Sequence, residues 1–136
     1  MDRVDLKQYT NFVDGVTSDA SKVHNALINR LDNIDHTSDV HVSRLLTASI
    51  GLSGEVGEFN DIVKKVVFQE KELNDEVLIH LKKELGDVFW YAAQACLALN
   101  ADPYDIINQN KQKLESRYKA GKFDAHSSEN RKSGDI

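Results

Sequence analysis

Two long segments with apolar residues at helical spacing dominate the sequence, and each carries two acidic residues three positions apart. Glu55 and Glu58 belong to the first segment, and Glu84 and Asp87 belong to the second. Residues three apart lie on one face of a helix, so each pair presents two carboxylates to the same side. If the two helices face each other, the four carboxylates form a set of hard oxygen ligands of the kind that Mg²⁺ or Mn²⁺ prefers.

The apolar pattern of the whole chain predicts an all-α fold. Four large apolar residues recur seven positions apart in the first long segment: Leu45, Leu52, Phe59 and Val66. This spacing is typical of packing in a helix bundle. Helices are expected over about residues 3–13, 19–31, 42–68, 76–99 and 103–118. Residues 1–118 are thus expected to form one all-α domain, followed by a polar tail (119–136) that is a candidate to contribute to the active site or the oligomer.

Composition excludes several classes of protein. A chain of 136 residues with a formal net charge of -5 has no basic field for nucleic acid or an anionic membrane. The single cysteine, Cys96, excludes an internal disulfide framework and a multi-cysteine zinc site. The sequence shows no signal peptide and no apolar run near 18 residues, so a cytoplasmic protein is expected.

Three glycines, Gly51, Gly54 and Gly57, interrupt the first long helix. Each costs up to about 1 kcal/mol relative to alanine in a helix interior. They are explained either by the close approach of a neighbouring backbone or ligand, or by simple tolerance inside a well-packed helix. The sequence leaves both explanations open.

Acidic residues on helices more often belong to a solvated face than to a metal site. Here the two pairs border the apolar stripes, and both follow the order acidic, apolar, glycine, acidic. Carboxylates that converge at a helix seam repel each other unless a cation neutralises them. These features favour a metal site. His80, one turn before Glu84, is either a further ligand or a surface histidine.

The acidic motifs resemble those of the MazG-like, all-α nucleoside triphosphate pyrophosphohydrolases. Glu-x-x-Glu is followed after 25 residues by Glu-x-x-Asp, and the run from Asn108 through Lys111 to Arg117-Tyr118 resembles the C-terminal motif of the family. Further residues resemble phage-encoded members, notably those of cyanophages: Lys64-Lys65, Phe68-Gln69, Trp90-Tyr91, Ala95-Cys96 and Ser128 to Arg131. The resemblance implies a four-helix-bundle-like, oligomeric fold.

This chain departs from the family pattern at two positions. Many members have a glutamate where this chain has Gly54. If that carboxylate orients water or a metal ligand in the family, another residue must do so here, and Asp61 is a candidate. Many members also have a proline where this chain has Lys119, so the backbone at the start of the tail is less restricted here.

The resemblance implies hydrolysis of a (d)NTP to (d)NMP and diphosphate, by attack of water on the α-phosphorus. It implies Mg²⁺, with Mn²⁺ as a substitute, and four residues that are both catalytic and metal-binding: Glu55, Glu58, Glu84 and Asp87. An uncoordinated carboxylate, Glu55, Glu58 or Asp61, would accept the proton of the water. The candidate substrate-binding residues are Lys65, Tyr91, Asn108, Lys111 and Arg117. For each lysine taken singly, solvent exposure or a helix salt bridge is the simpler explanation.

The expected partners are a nucleoside triphosphate and further copies of the chain, as a homodimer or homotetramer, with no nucleic acid and no membrane. Deoxynucleotides in phage nucleotide metabolism, in the host cytoplasm, are the expected context. The main alternative is a non-catalytic helical nucleotide-binding or interaction module that keeps the fold. A di-iron carboxylate bundle would need Glu-x-x-His pairs, and the sequence contains none.

Overall fold

A computed structural model describes residues 4–119 and 121–130, and within them the protein contains helices and no strand. The all-α prediction is therefore confirmed. The helices of the described residues are α1 (Leu6–Val16), α2 (Asp19–Lys22), α3 (His24–Thr37), α4 (Val42–Phe68), α5 (Asp75–Ala98), α6 (Pro103–Arg117) and α7 (Ala125–Glu129). None of them is long and apolar enough to cross a membrane. The chain divides into two compact units, one up to Val42 and one from Ser43 onward.

In the first unit the observed helices differ from the predicted ones. The side chain of Asp5 caps α1 by accepting hydrogen bonds from the backbone amides of Lys7 and Gln8, and α1 extends to Val16, beyond the end expected at residue 13. The single helix expected over residues 19–31 is interrupted at Val23, whose backbone is extended. Helix α3 then continues to Thr37, through residues that were expected to form a connection.

Helices α4 and α5 of the second unit run antiparallel. The Nη1 atom of Arg44 donates to Oε1 of Gln94 at 3.0 Å, and further along α4, Gly51 lies against the ring of Tyr91. Rising residue numbers on α4 therefore meet falling numbers on α5. The side chains that are buried in this unit are mostly small, and they include one carboxylate: Ala48, Ile62, Val77, Ala98 and Glu84.

The ends of these helices follow local rules. The side chain of Asn74 caps the start of α5 by accepting a hydrogen bond from the backbone amide of Val77 at 3.0 Å. Asp102 caps α6, where Pro103 occupies the first turn because a proline lacks the amide hydrogen that would be unpaired there. The expected polar tail contains the short helix α7, capped by Asp124. Residues 131–136 of that tail lie outside the described residues.

Gly51 is required by the contact between α4 and α5. A Cβ atom at Gly51 would lie 2.0 Å from Cε1 of Tyr91, so the ring occupies the space of the missing side chain. We expect Gly51→Ala to destabilise the protein, because displacing the ring costs about 1–3 kcal/mol, which outweighs the gain in helix propensity.

Gly54→Ala is the matched control for this prediction. No atom lies within 4 Å of a Cβ at Gly54, so alanine there should stabilise the helix by about 0.5–1 kcal/mol. Urea denaturation of both variants checks the pair. Equal stability changes at the two positions would contradict the packing described for Gly51.

Candidate active site

Three carboxylates from two helices converge in the second unit. Glu55 and Glu58 lie on the same side of α4, and Glu84 lies on α5. One oxygen atom from each of the three lies within 4.8 Å of the others. Glu84 is buried, with 7% of its surface exposed, whereas Glu55 is half-buried and Glu58 is exposed. The spacing of three on α4 and the antiparallel neighbour together produce this acidic cluster (Glu55, Glu58, Glu84).

The electrostatics of the acidic cluster fit a bound cation. Burial raises the pKa of Glu55 above its ordinary value, and the negative charges of Glu58, Asp87 and Glu84 raise it further. Asp87 is exposed and is not one of the three converging carboxylates, but its charge contributes to the raised pKa of Glu55. A divalent cation would relieve the repulsion, and carboxylate oxygens are the ligands that hard cations take. The residues present therefore suit a hard divalent metal.

The buried carboxylate has a partner on its own helix. Nε2 of His80 lies 2.9 Å from Oε1 of Glu84, one helical turn away. Such a contact restricts the rotation of the carboxylate and holds one of its oxygens in place. The i,i+4 spacing made this pair visible in the sequence, where a surface histidine was the competing interpretation.

A depression of about 440 Å³ adjoins the acidic cluster. Glu58 and Glu84 contribute to its lining, so the cluster and the depression are continuous. The rest of its lining consists of two glycines, three basic residues, one further carboxylate and one apolar residue: Gly54, Gly57, Lys65, Lys71, His80, Asp61 and Ile62. No atom lies within 4 Å of a Cβ at either glycine, so α4 is open on this side. The depression therefore combines negative and positive side chains around an accessible stretch of helix.

Asp61 is held by two lysines on its own helix. Its carboxylate accepts hydrogen bonds from Lys64 and from Lys65, the latter with Nζ at 2.5 Å from Oδ2. The hydrogen bonds from Lys64 and then Lys65 lower the pKa of Asp61 to about 2. A carboxylate with so low a pKa is a weak base, so Asp61 is poorly suited to take a proton from water.

The other predicted substrate-binding residues have separate surroundings. Tyr91 is half-buried against Gly51 and edge-on to Trp90, with ring centroids 4.7 Å apart. On α6, Asn108 is half-buried, Nζ of Lys111 lies 3.7 Å from Glu115, and the Arg117 guanidinium lies 6.0 Å from the ring centroid of Tyr118. These four residues do not belong to the lining of the depression. Their role in substrate binding stays a prediction.

Two features of the site were missed in the sequence. Lys71 lies between two predicted helices and is not among the predicted binding residues, yet it lines the depression. Gly57 was noted as a helix glycine without a stated side, and it faces the same space.

Comparison with known proteins places this site in a family. Residues 44–121, more than half of the chain, match the model of the MazG nucleotide pyrophosphohydrolase domain. The chain is also 35% identical over 82 residues to the Gene 37 protein of Mycobacterium phage L5, an alignment that covers 59% of this chain and 71% of the phage protein. No solved structure matches the chain. The matched segment contains the whole acidic cluster, and the chain belongs to the MazG nucleotide pyrophosphohydrolase family.

Proposed function

We propose that this protein is a metal-dependent nucleoside triphosphate diphosphatase that converts a (d)NTP and water into a (d)NMP and diphosphate. The observation that carries the proposal is the convergence of Glu55, Glu58 and Glu84 within the segment that matches the MazG domain. Carboxylates and a triphosphate are both anionic, so they can meet productively only through a cation.

The proposed reaction is a single displacement at the α-phosphorus. The oxygen of water forms a bond to the α-phosphorus, and the bond from that phosphorus to the oxygen shared with the β-phosphate breaks. Diphosphate leaves with that oxygen, and the proton of the water passes to a carboxylate. The pKa of Glu55 is raised, so Glu55 or its neighbour Glu58 suits this proton better than Asp61 does.

The metal that we propose is Mg²⁺, with Mn²⁺ as a substitute. Its candidate ligands are Glu55, Glu58 and Glu84, together with Asp87 from the family motif, and the carboxylate that accepts the proton would stay uncoordinated. His80 would keep Glu84 oriented. When bound, such an ion lowers the pKa of water and neutralises charge on phosphate oxygens. Because Glu84 is buried, it would hold the metal at a fixed position.

The remaining substrate contacts are proposals that rest on the family motif and on charge. Lys65, Lys111 and Arg117 would bind phosphate oxygens, Tyr91 would contact the nucleoside, and Asn108 would contact a base or sugar edge. Similarity to a phage protein supports a phage setting. The substrates that we propose for that setting are deoxynucleotides of phage nucleotide metabolism, in the host cytoplasm.

Release of diphosphate from each of the eight common NTPs and dNTPs tests this function. Activity that needs a divalent metal and prefers deoxynucleotides is the expected result. A competing function, a helical nucleotide-binding or interaction module without catalysis, is favoured only by Gly54 in place of the family's glutamate. Nucleotide binding without diphosphate release in the same assay would support that module.

We also propose that the protein assembles as a homodimer or homotetramer. Large apolar side chains on α4 and α5 are exposed, among them Ile50 at 71%, Phe68 at 79% and Phe89 at 67%. Exposed apolar surface of this extent is typical of a subunit interface. Light scattering at micromolar concentration should give two or four times the mass of one chain, 15.3 kDa. A monomeric mass would contradict the assembly.

A further inference from the structure

The depression beside the acidic cluster carries positive charge that the metal site does not use. Its volume of about 440 Å³ falls within the range of small-molecule sites in proteins, roughly 300–1,000 Å³. We propose that this depression holds the diphosphate part of the substrate, and that Lys71 is a cationic contact for it in addition to Lys65. The inference rests on the proposed function and adds to it the place of the leaving group.

The three basic residues of the lining differ in their availability. Lys65 is engaged by Asp61, whose low pKa keeps that carboxylate charged at neutral pH. Nε2 of His80 is engaged by Glu84. Within residues 4–119 and 121–130, the side chain of Lys71 has no carboxylate partner. Lys71 is thus the basic residue of the depression that can bind a phosphate without first giving up an ion pair.

The backbone fixes the position of Lys71. Helix α4 ends at Phe68, and Glu70 adopts a left-handed conformation with φ of 55°. The amide of Lys71 then donates to the carbonyl of Lys65 at 3.1 Å, so the chain folds back over the last turn of α4. A non-glycine residue adopts such a conformation only where its surroundings hold it. This turn places Lys71 beside the depression.

The open face of α4 forms another part of the depression. Gly54 and Gly57 both line the depression, and a Cβ atom at either position would meet nothing within 4 Å apart from the backbone of its own helix. Glycine in a helix interior lowers stability, so its occurrence at two positions on one open side calls for a reason. Close approach of phosphate oxygens to the helix supplies that reason, because any side chain there would occupy the same space.

Binding of inorganic diphosphate to the whole protein in the presence of Mg²⁺, measured by calorimetry, tests the proposal. We expect Lys71→Ala to weaken binding by about 10- to 100-fold, the usual effect of losing a hydrogen bond to a charged group. Lys71→Arg keeps the charge and should stay within a few-fold of the parent. Lys83→Ala is the matched control, because Lys83 is an exposed lysine of α5 outside the lining and should bind diphosphate as the parent does.

Variants at Glu70 test the backbone part of the inference. Glycine adopts the left-handed conformation readily, so Glu70→Gly should retain diphosphate binding. Proline fixes φ near -65°, so Glu70→Pro should displace Lys71 and weaken binding as Lys71→Ala does. Affinity for the nucleoside monophosphate, measured in parallel, should be the same in all these variants and in the parent.

Two outcomes overturn the inference and can be told apart. If the parent hydrolyses triphosphates but Lys71→Ala binds diphosphate as tightly as the parent, the diphosphate lies elsewhere and the proposed function stands. If the parent neither hydrolyses triphosphates nor binds diphosphate, both the inference and the proposed function fail. Lys71 is exposed, so Lys71→Ala and Lys71→Arg should melt at the temperature of the parent, and a lower affinity then reflects lost binding and not lost folding.

Discussion

Glu58→Gln is expected to lower turnover by about two to four orders of magnitude, the range over which a positioned acid or base contributes to catalysis. The substitution removes one negative charge from the acidic cluster with little change in volume. Glu58 is exposed, so the fold and the melting temperature should be retained. Asp87→Asn, at the other acidic motif, should have an effect of the same kind because Asp87 is a candidate metal ligand whose charge also raises the pKa of Glu55.

Glu72→Gln is the matched control for these variants. Glu72 is an exposed glutamate in the connection between α4 and α5, and the same substitution there removes the same charge outside the depression. Its turnover should equal that of the parent. Turnover within a few-fold of the parent in both Glu58→Gln and Asp87→Asn would place the chemistry at another site.

The second large effect is stabilisation by metal. A ligand that binds only the folded state raises the free energy of unfolding by about 2.7 kcal/mol when its concentration is one hundred times Kd. We therefore expect Mg²⁺ or Mn²⁺ to raise the melting temperature and excess chelator to lower it. A Glu58→Gln, Glu84→Gln double variant should lose this response, since two of the three converging carboxylates are then neutral. Identical melting of the parent with metal and with chelator would contradict a metal centre.

The pH dependence of the metal-free protein follows from two carboxylates with opposite shifts. The folded state raises the pKa of Glu55, so its protonated form is favoured, and stability falls as pH rises through that pKa. The folded state lowers the pKa of Asp61 to about 2, so this group stabilises the fold above its ordinary pKa of 3.8, and that contribution is lost as pH falls towards 2. Metal should abolish the loss caused by Glu55 at neutral pH, because a bound cation favours the charged carboxylate; melting temperatures measured against pH with and without Mg²⁺ check this.

The sequence predicted the long helices well and the short ones poorly. Helix α4 begins and ends where the apolar pattern placed it, and α5 differs by one residue at each end. Both have many apolar residues at a constant period, so the signal is strong. The break at Val23 and helix α7 depend on a few local dihedral angles and one cap, Asp124, which leave little pattern in the sequence.

The sequence likewise predicted part of the site and missed another part. The spacing of the acidic pairs predicted that carboxylates would meet, because helical geometry alone brings i and i+3 to one face. Salt bridges of Asp61 with Lys64 and Lys65 also follow from helical spacing. The position of Lys71 could not be predicted, because it depends on a left-handed residue at Glu70, where the sequence has no glycine to indicate such a turn.

Hydrolysis of a deoxynucleoside triphosphate in ¹⁸O-labelled water, with Mg²⁺ present and the products analysed by mass spectrometry, tests the central claim most directly. Attack of water on the α-phosphorus places the labelled oxygen in the nucleoside monophosphate and leaves the diphosphate unlabelled. That distribution in the parent and in Glu72→Gln, with formation of labelled monophosphate slowed strongly in Glu58→Gln, is the predicted result. Labelled orthophosphate or labelled diphosphate, or no hydrolysis of any of the eight common nucleoside triphosphates, would contradict the proposed reaction.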